Sequence, residues 1–492
     1  MMNWPKQGFG VDLRALALLR IGIGATVTGD LLFRLTELTA HYCDSGVLPR
    51  ELVFDWNSLF LSLHFFSGKW EIQLLLFLVS IFFGLKLIIG KDTRITTIIL
   101  WVLTLSLHNR NLFVLQGGDD YLSLLLFWGI FLPWGKVWSF DARNADPLKS
   151  FGFSSLGSMG YILQICLMYV ATGFHKVSAE WTTDWTALYF TFQLDQYANV
   201  FGKWLLNFPM LLKATTIFVL WLERVGWLLL VLPSSRFPFK SIGVVLFGSF
   251  HFMIGITMMI GIFPVIGCVA LLGLLPPKLM DRISSSGTQK FLQTSTHKFR
   301  HIIADNFQIK FGEQKTATTS TETTMLEKRY LNGLIVCAIV FSIVWNIEDV
   351  TSARLMPNWI RETGVVFRLD QRWRMFSPDI KKDDGWFVME ARLKNGNMVD
   401  IFQDDGKLEF AKPESVLSHF KKARWRKFLD NWKENDEIQS GLPAYLCSEW
   451  NNAKTVEEQV DELRIVFMEE LLVDYQEQPV LSEKTLMTFT PN

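Results

Sequence analysis

The sequence predicts a multi-pass α-helical membrane protein with a C-terminal extramembrane domain of mixed α and β structure that contains a β-hairpin. Three observations carry that expectation. The 492-residue chain is 50% hydrophobic and holds 41 Phe and 19 Trp. Several of its apolar windows approach the roughly 20 residues that a bilayer-crossing helix needs. Beyond residue 346 the long apolar runs give way to short alternating ones. With 48 basic and 48 acidic residues the formal net charge is zero. That balance, with no nucleic-acid motif, excludes a general nucleic-acid binder and leaves membrane lipid as the expected surroundings.

The expected spans are 15–34, 72–89, 94–107, 118–132, 157–174, 210–232 and 242–262, then a short piece at 265–275 and a last helix at 330–345. The first run, from about Leu16 to Phe33, lacks a clean cleavage site and reads as a span rather than a secretory signal. Gly261, Pro264 and Gly267 break the chain near the seventh span, which a membrane tolerates only where protein or a cavity satisfies the backbone. Four regions follow: a transmembrane domain over 1–275, a basic connector over 276–329, the last span, and an extracytoplasmic β-rich domain over 346–492. The connector carries nine Lys or Arg against five Asp or Glu, and the loops GKDTR (90–94) and SSRFPFK (234–240) are basic too. Basic short loops stay in the cytoplasm. The N-terminus is therefore expected inside, and loops 35–71, 108–117 and 175–209 outside with everything after 345. In the last region, WFVMEARLKNGNMVDIF (386–402) alternates around a KNGN turn and predicts a hairpin, whereas 455–475 reads as an acidic amphipathic helix.

The candidate chemistry is sparse. Five cysteines, Cys43, Cys166, Cys268, Cys337 and Cys447, form no CxxC pair, and a Cys43–Cys447 disulfide is open only if both face an oxidising compartment. No metal site is expected. Walker A, GxGxxG, HExxH and GxSxG patterns are missing, so the common soluble enzyme classes receive no support. ATGFHKVSAEW (171–181) places Lys176 at the end of an oily run. Such a lysine either snorkels to the headgroups or, desolvated, gives up its proton and serves as a base. Glu180, one turn on, is a candidate partner that would keep it charged. His175 need not share its face. His251 sits deep in VVLFGSFHFMIGITMMIGIFP (244–264), where a polar group needs a partner and either holds structure or orients a substrate or a proton. QGGDDY (116–121) sets Asp119 and Asp120 at the start of a span, a natural place for acids at the positive end of a helix dipole. Arg110, within SLHNRN (106–111), meets either an acidic substrate or a carboxylate of the chain. His41 and Asp44 are weaker candidates.

LLRIGIGATVTGDLLFR, HYCDSGVLPR, SLHNRNLFVLQGGDDYLSLLLFWGIFLPWG and WSFDA resemble the horizontally transferred transmembrane (HTTM) domain family, over about residues 12–275. That family is related to vitamin K-dependent gamma-glutamyl carboxylase. RWRMFSPDIKKDDGWFVMEARLKNG is similar to the segment that follows the membrane part in many bacterial members. The resemblance implies a membrane enzyme that couples epoxidation of a reduced quinone to modification of a peptide or protein acceptor. It implies reduced vitamin K or a related naphthoquinone, with O2 and CO2 as co-substrates, and a secreted glutamate-containing peptide or protein as partner. TGFHKVSAEW (172–181) is similar to the carboxylase motif AGxKKLDADW, whose second lysine is the base and falls on Lys176; the first is replaced by His175. FHFMIGITMMIGIFP (250–264) is similar to FHLMNSQLFSIGMFP and puts a family histidine on His251. The motif NNHSY has GGDDY (117–121) as its counterpart, so its histidine is replaced by Asp119. An aspartate accepts or orients but does not donate as imidazole does at neutral pH. Catalytic roles are thus expected of Lys176, His251 and Asp119. The rival expectations are a non-catalytic membrane chaperone or scaffold for a secreted peptide or protein, and a lipid or small-molecule transporter, for which no related halves are visible.

Overall fold

A computed structural model describes residues 8–56, 61–234, 237–285, 325–452, 454–472 and 477–491. Most of the expected connector, 286–324, lies outside the described residues. A helical bundle forms one half of the molecule and an α/β domain caps one of its faces. The bundle begins with strand β1 (Val11–Asp12), which pairs with β2 (Gly152–Phe153). Its helices are α1 (Leu13–Leu35), α2 (Trp70–Ile89), α3 (Thr93–Arg110), α4 (Gly117–Gly129), α5 (Leu156–His175), α6 (Pro209–Trp221), α7 (Phe239–Thr257) and α8 (Phe263–Leu272). α9 (Pro277–Ser285) then turns 90° away from α8, and α10 (Met325–Thr351) is the final long helix.

Among the described residues six helices are long and apolar enough to cross a membrane: α1, α2, α5, α6 with its continuation to Val231, α7 and α10. The protein is therefore a multi-pass membrane protein, as the composition predicted. α3 and α4, expected as spans over 94–107 and 118–132, are helices but fall outside that set. Caps fix where the bundle helices start. The Asp12 carboxylate accepts from Arg14 N at 2.8 Å, and Ser155 and Ser158 cap the start of α5 reciprocally. α5 is the central helix: 72% of its apolar window is buried in protein, against 22% for α7. α7 instead shows Val245 and Phe252 to its surroundings, as α2 does Leu75 and Phe82, and these make the lipid-facing belt.

The C-terminal domain is a four-stranded antiparallel sheet in the order β4-β3-β5-β6, with β3 at Asp383–Leu393, β4 at Met398–Asp400, β5 at Val460–Leu471 and β6 at Val480–Phe489. The expected hairpin is β3–β4, with Arg392 opposite Met398. α11 (Asn358–Val366) precedes the sheet, and α12 (Ala423–Glu434) and α13 (Gly441–Asn451) pack on it. The acidic helix expected over 455–475 is overturned: β5 fills most of that segment and lies between β3 and β6. Its Glu, Leu and Met content suits a helix, but Ile465, Val466 and Phe467 are wholly buried by two flanking strands and the helices above. Burial on both faces overrode the local preference.

The core of this domain is not its own alone. Ala40, Val47 and Leu48 from the loop after α1, and Phe113 and Val114 from the loop after α3, join Trp386, Val388, Trp425 and Leu442 in one apolar cluster. Loop 175–209 meets the same domain through Asp195, Gln196 and Tyr197. All three loops that charge counting grouped together thus share a face with the C-terminal domain. The opposite face is built from Asp92, Thr93 and Asp141, from Lys240 on Gly8 O and Gly10 O, and from Arg14 with Asp281.

Candidate functional site

Lys176 caps the C-terminus of α5 and does not snorkel: its side chain is 4% exposed. The partner is neither solvent nor Glu180. Its Nζ is hydrogen-bonded to the carboxylate of Glu223, a residue 3% exposed in its side chain. Glu180 instead pairs with Lys382 of the C-terminal domain at 2.9 Å, which corrects the expected local pair. Glu223 lies in a π-helical turn, Leu222–Gly226, that interrupts the span formed by α6 and its continuation to Val231. Such one-turn bulges widen a helix locally and turn a side chain out of its regular row. Arg224, next in the same turn, donates from Nε to Gly173 O at 3.0 Å and from Nη2 to Lys176 O at 2.8 Å. It thereby satisfies carbonyls that the end of α5 leaves without partners. The approach needs Gly173, where a Cβ would stand 2.9 Å from Arg224 N. Trp181 closes the other side, its ring centre 4.8 Å from Lys176 Nζ and its Nε1 bound to Phe376 O at 2.8 Å.

His175 turns to a different neighbour from that of Lys176. Its Nε2 is 2.7 Å from Asp349 of α10, whose other oxygen accepts from Arg374 at 2.9 Å. His251 makes a second polar pair on α5: Nε2 lies 2.9 Å from the Tyr169 hydroxyl. Phe247 stacks on Tyr169 at 3.8 Å, and Phe263 packs edge-on to His251. Gly267 backs the imidazole, and a Cβ there would collide with it. Nδ1 of His251 is buried with no hydrogen-bond partner among the described residues. Tyr169 precedes Lys176 by two helical turns, about 10 Å along the axis.

Asp119 occupies a different constellation. Its Oδ1 receives Arg34 at 2.6 Å and Arg424 at 3.1 Å, and its Oδ2 receives the Gln116 N–H at 2.8 Å in a capping box at the start of α4. Asp30 receives Arg34 at 2.6 Å and also binds Arg424. Burial works against the Arg424 guanidinium, but Asp119 and Asp30 outweigh it and hold it charged, well above its ordinary value. Four charges from α1, α4 and α12 thus tie the bundle to the C-terminal domain. Among the described residues Asp119 shares no polar partner with Lys176 or His251. Asp120 pairs with Arg368 at 2.7 Å. Arg110 donates to Leu48 O at 2.9 Å and Cys43 O at 3.1 Å, and so braces a loop of its own chain. Burial pushes His41 down to about 3, so it stays neutral and packs against Trp425 at 4.7 Å. Asp44 pairs with Arg50 at 2.7 Å. Cys43 and Cys447 are both buried free thiols.

Glu223 is the residue that sequence reading missed. The signal was present: an acid inside LLKATTIFVLWLERVGWLLLV is costly in a membrane and calls for a named partner.

Architecture and buried charge together define a multi-pass helical membrane protein with an α/β domain seated on one face and a buried lysine–glutamate pair inside the bundle. The HTTM domain family model matches residues 10–277, more than half of the chain, and the protein belongs to that family. No curated protein and no solved structure matches the chain.

Proposed function

We propose that this protein is a membrane enzyme in which Lys176 acts as a base toward a reduced, lipid-soluble quinone, in the manner of vitamin K-dependent gamma-glutamyl carboxylase. The observation that carries the reading is the buried Lys176–Glu223 pair at a π-helical turn. A lysine that served only to anchor a span end would reach for the headgroups. Here the amine sits between an acid and an indole ring, removed from water. Moving the proton from Nζ to the Glu223 carboxylate leaves a neutral amine beside a neutral acid, a state that removal from water brings within reach of the two charges. The free amine then takes a hydroxyl proton from the substrate. Tyr169 and His251, two turns deeper on the same helix, orient its polar end. A reduced naphthoquinone with O2 yields epoxide and water and supplies the strong base that no side chain provides, so that CO2 replaces a γ proton of glutamate. Asp119 takes a holding role, because all its lone pairs point to partners. The C-terminal domain holds the acceptor, a secreted glutamate-containing peptide or protein. Basic short loops on the opposite face put that face in the cytoplasm and the C-terminal domain outside.

The test is turnover. Purified protein is given reduced naphthoquinone and oxygen, with and without a glutamate-rich peptide, and epoxide is detected by mass spectrometry. Lys176→Met/Glu223→Gln, which removes both charges and keeps their volume, is run beside it after its thermal unfolding is matched to the parent. Epoxide from the parent and none from the double variant is the expected outcome. No epoxide under any of these conditions would favour the second reading, a non-catalytic chaperone or scaffold for a secreted peptide or protein. That reading draws on the merging of two loops into the C-terminal core and the docking of a third against it.

A further inference from the structure

A cavity of about 620 Å³ opens where α10 leaves the bundle on the face that carries the C-terminal domain. Its wall runs from Trp345 through Arg354 to α11 and on to Arg374. Four arginines and four acids line it, and half of them are spoken for. Arg361 is paired with Glu348, which also accepts from Met356 N at 2.6 Å. Arg374 is paired with Asp349 at 2.9 Å, and Asp349 also holds His175. The rest are not. Arg354 and Arg372 line the cavity and make no hydrogen bond or ion pair among the described residues. Glu362 is likewise without a partner among them, and Asp370 has a buried Oδ1 that accepts from nothing.

The surroundings set the depth. Trp359 and Leu355, beside the cavity in sequence, are 69% and 58% exposed, the usual habit of side chains anchored at a membrane–water boundary. Below the opening α10 presents Leu334, Val336 and Val340, all exposed, along its length. A ligand that fits must place an anion on two free guanidiniums, offer a donor to the Glu362 carboxylate and to the unfilled Oδ1 of Asp370, and trail an apolar tail down a helix.

We propose that this cavity binds the phosphoethanolamine headgroup of a membrane phospholipid, its phosphate on Arg354 and Arg372 and its ammonium on Asp370 and Glu362. Guanidinium–phosphate and ammonium–carboxylate bonds are charge-assisted and add geometric specificity. The lipid would rest against the Asp349–His175 bond, one residue from Lys176, yet its binding does not depend on what Lys176 does.

Full-length protein, stripped of lipid in detergent, is titrated by native mass spectrometry with three probes: dihexanoyl-phosphatidylethanolamine, dihexanoyl-phosphatidylglycerol and free phosphoethanolamine. Phosphatidylethanolamine is expected to bind about tenfold more tightly than phosphatidylglycerol, the scale of one charge-assisted contact. Arg354→Gln/Arg372→Gln should weaken both lipids by about tenfold or more. Asp370→Asn should bring phosphatidylethanolamine down to the level of phosphatidylglycerol, and Glu362→Gln, at an exposed position that does not threaten folding, should shift it the same way. Free phosphoethanolamine binding as tightly as the lipid would overturn the lipid assignment in favour of a soluble ligand. Equal affinity for the two lipids in the parent, or unchanged affinity in the arginine variant, would overturn the proposal itself.

Discussion

Two of the buried charge groups in this molecule are built differently. Around Asp119 four charges, two of each sign, interlock through α1, α4 and α12, with the Tyr42 hydroxyl 2.5 Å from Arg34 as a fifth member. Every Asp119 oxygen is occupied, and the cluster joins two halves of the protein. At Lys176 one cation meets one anion, with an indole ring above, and the supporting bonds go to backbone carbonyls rather than to the charges themselves. A saturated network has no state to move to and holds structure. A pair joined by one bond has a neutral form close at hand, reached by one proton transfer. The residues that attract notice in the sequence are equally buried in both places; their partners make the difference.

The sharpest way to break the comparison is Arg424→Ala. It leaves Asp30 and Asp119 to share Arg34, and removing one partner from buried charges costs about 3–5 kcal/mol. Early proteolysis of the C-terminal domain and a lowered thermal midpoint are the expected readouts; an unchanged midpoint would mean that the cluster holds nothing together. Lys176→Ala alone should fall in the same range of about 3–5 kcal/mol, because Glu223 is stranded, while adding Glu223→Gln should restore most of the loss. If the second substitution makes matters worse, the two residues are not coupled as drawn.

A third acidic site tests the C-terminal domain by pH. Burial and the neighbouring Asp195 raise the Asp384 carboxyl to about 7. The folded state then binds more protons than the unfolded chain between about 4 and 7, so this contribution to stability falls as pH rises through that window and levels off above it. At 1.36 kcal/mol per pKa unit the upper bound is about 4 kcal/mol. Chemical denaturation between pH 5 and 8 should show the slope in the parent and a flatter line in Asp384→Asn; equal slopes would remove Asp384 as the cause. The smallest expected effect is at Gly267→Ala, which crowds His251 and should cost about 1–3 kcal/mol as overpacking does. Its specific signature is a changed environment of the Tyr169–His251 pair, read by the imidazole nitrogen resonances.

Much of the fold was legible. Six long apolar helices, the break around Pro264, the β3–β4 hairpin and the grouping of three loops on one face follow from hydropathy, turn chemistry and charge. β5 was not legible, since VDELRIVFMEEL satisfies a helix locally and becomes a strand only when β3 and β6 hydrogen-bond along both of its edges. Of the site, the depth of His251 could be read from the apolar run that holds it, whereas the run before Lys176 left open whether that lysine snorkels or is buried. Glu180 was the nearest acid in sequence and therefore the natural partner to expect. It went to Lys382, and Glu223, 47 residues from Lys176, took its place.

What the sequence alone determined is the set of groups that must be removed from water: apolar periodicity and span length place each residue at a depth, because hydration is a property of single side chains. What only the tertiary structure decided is which buried charge meets which. Pairing depends on where separate helices bring their side chains, and a one-turn π bulge in α6 is enough to turn Glu223 toward Lys176.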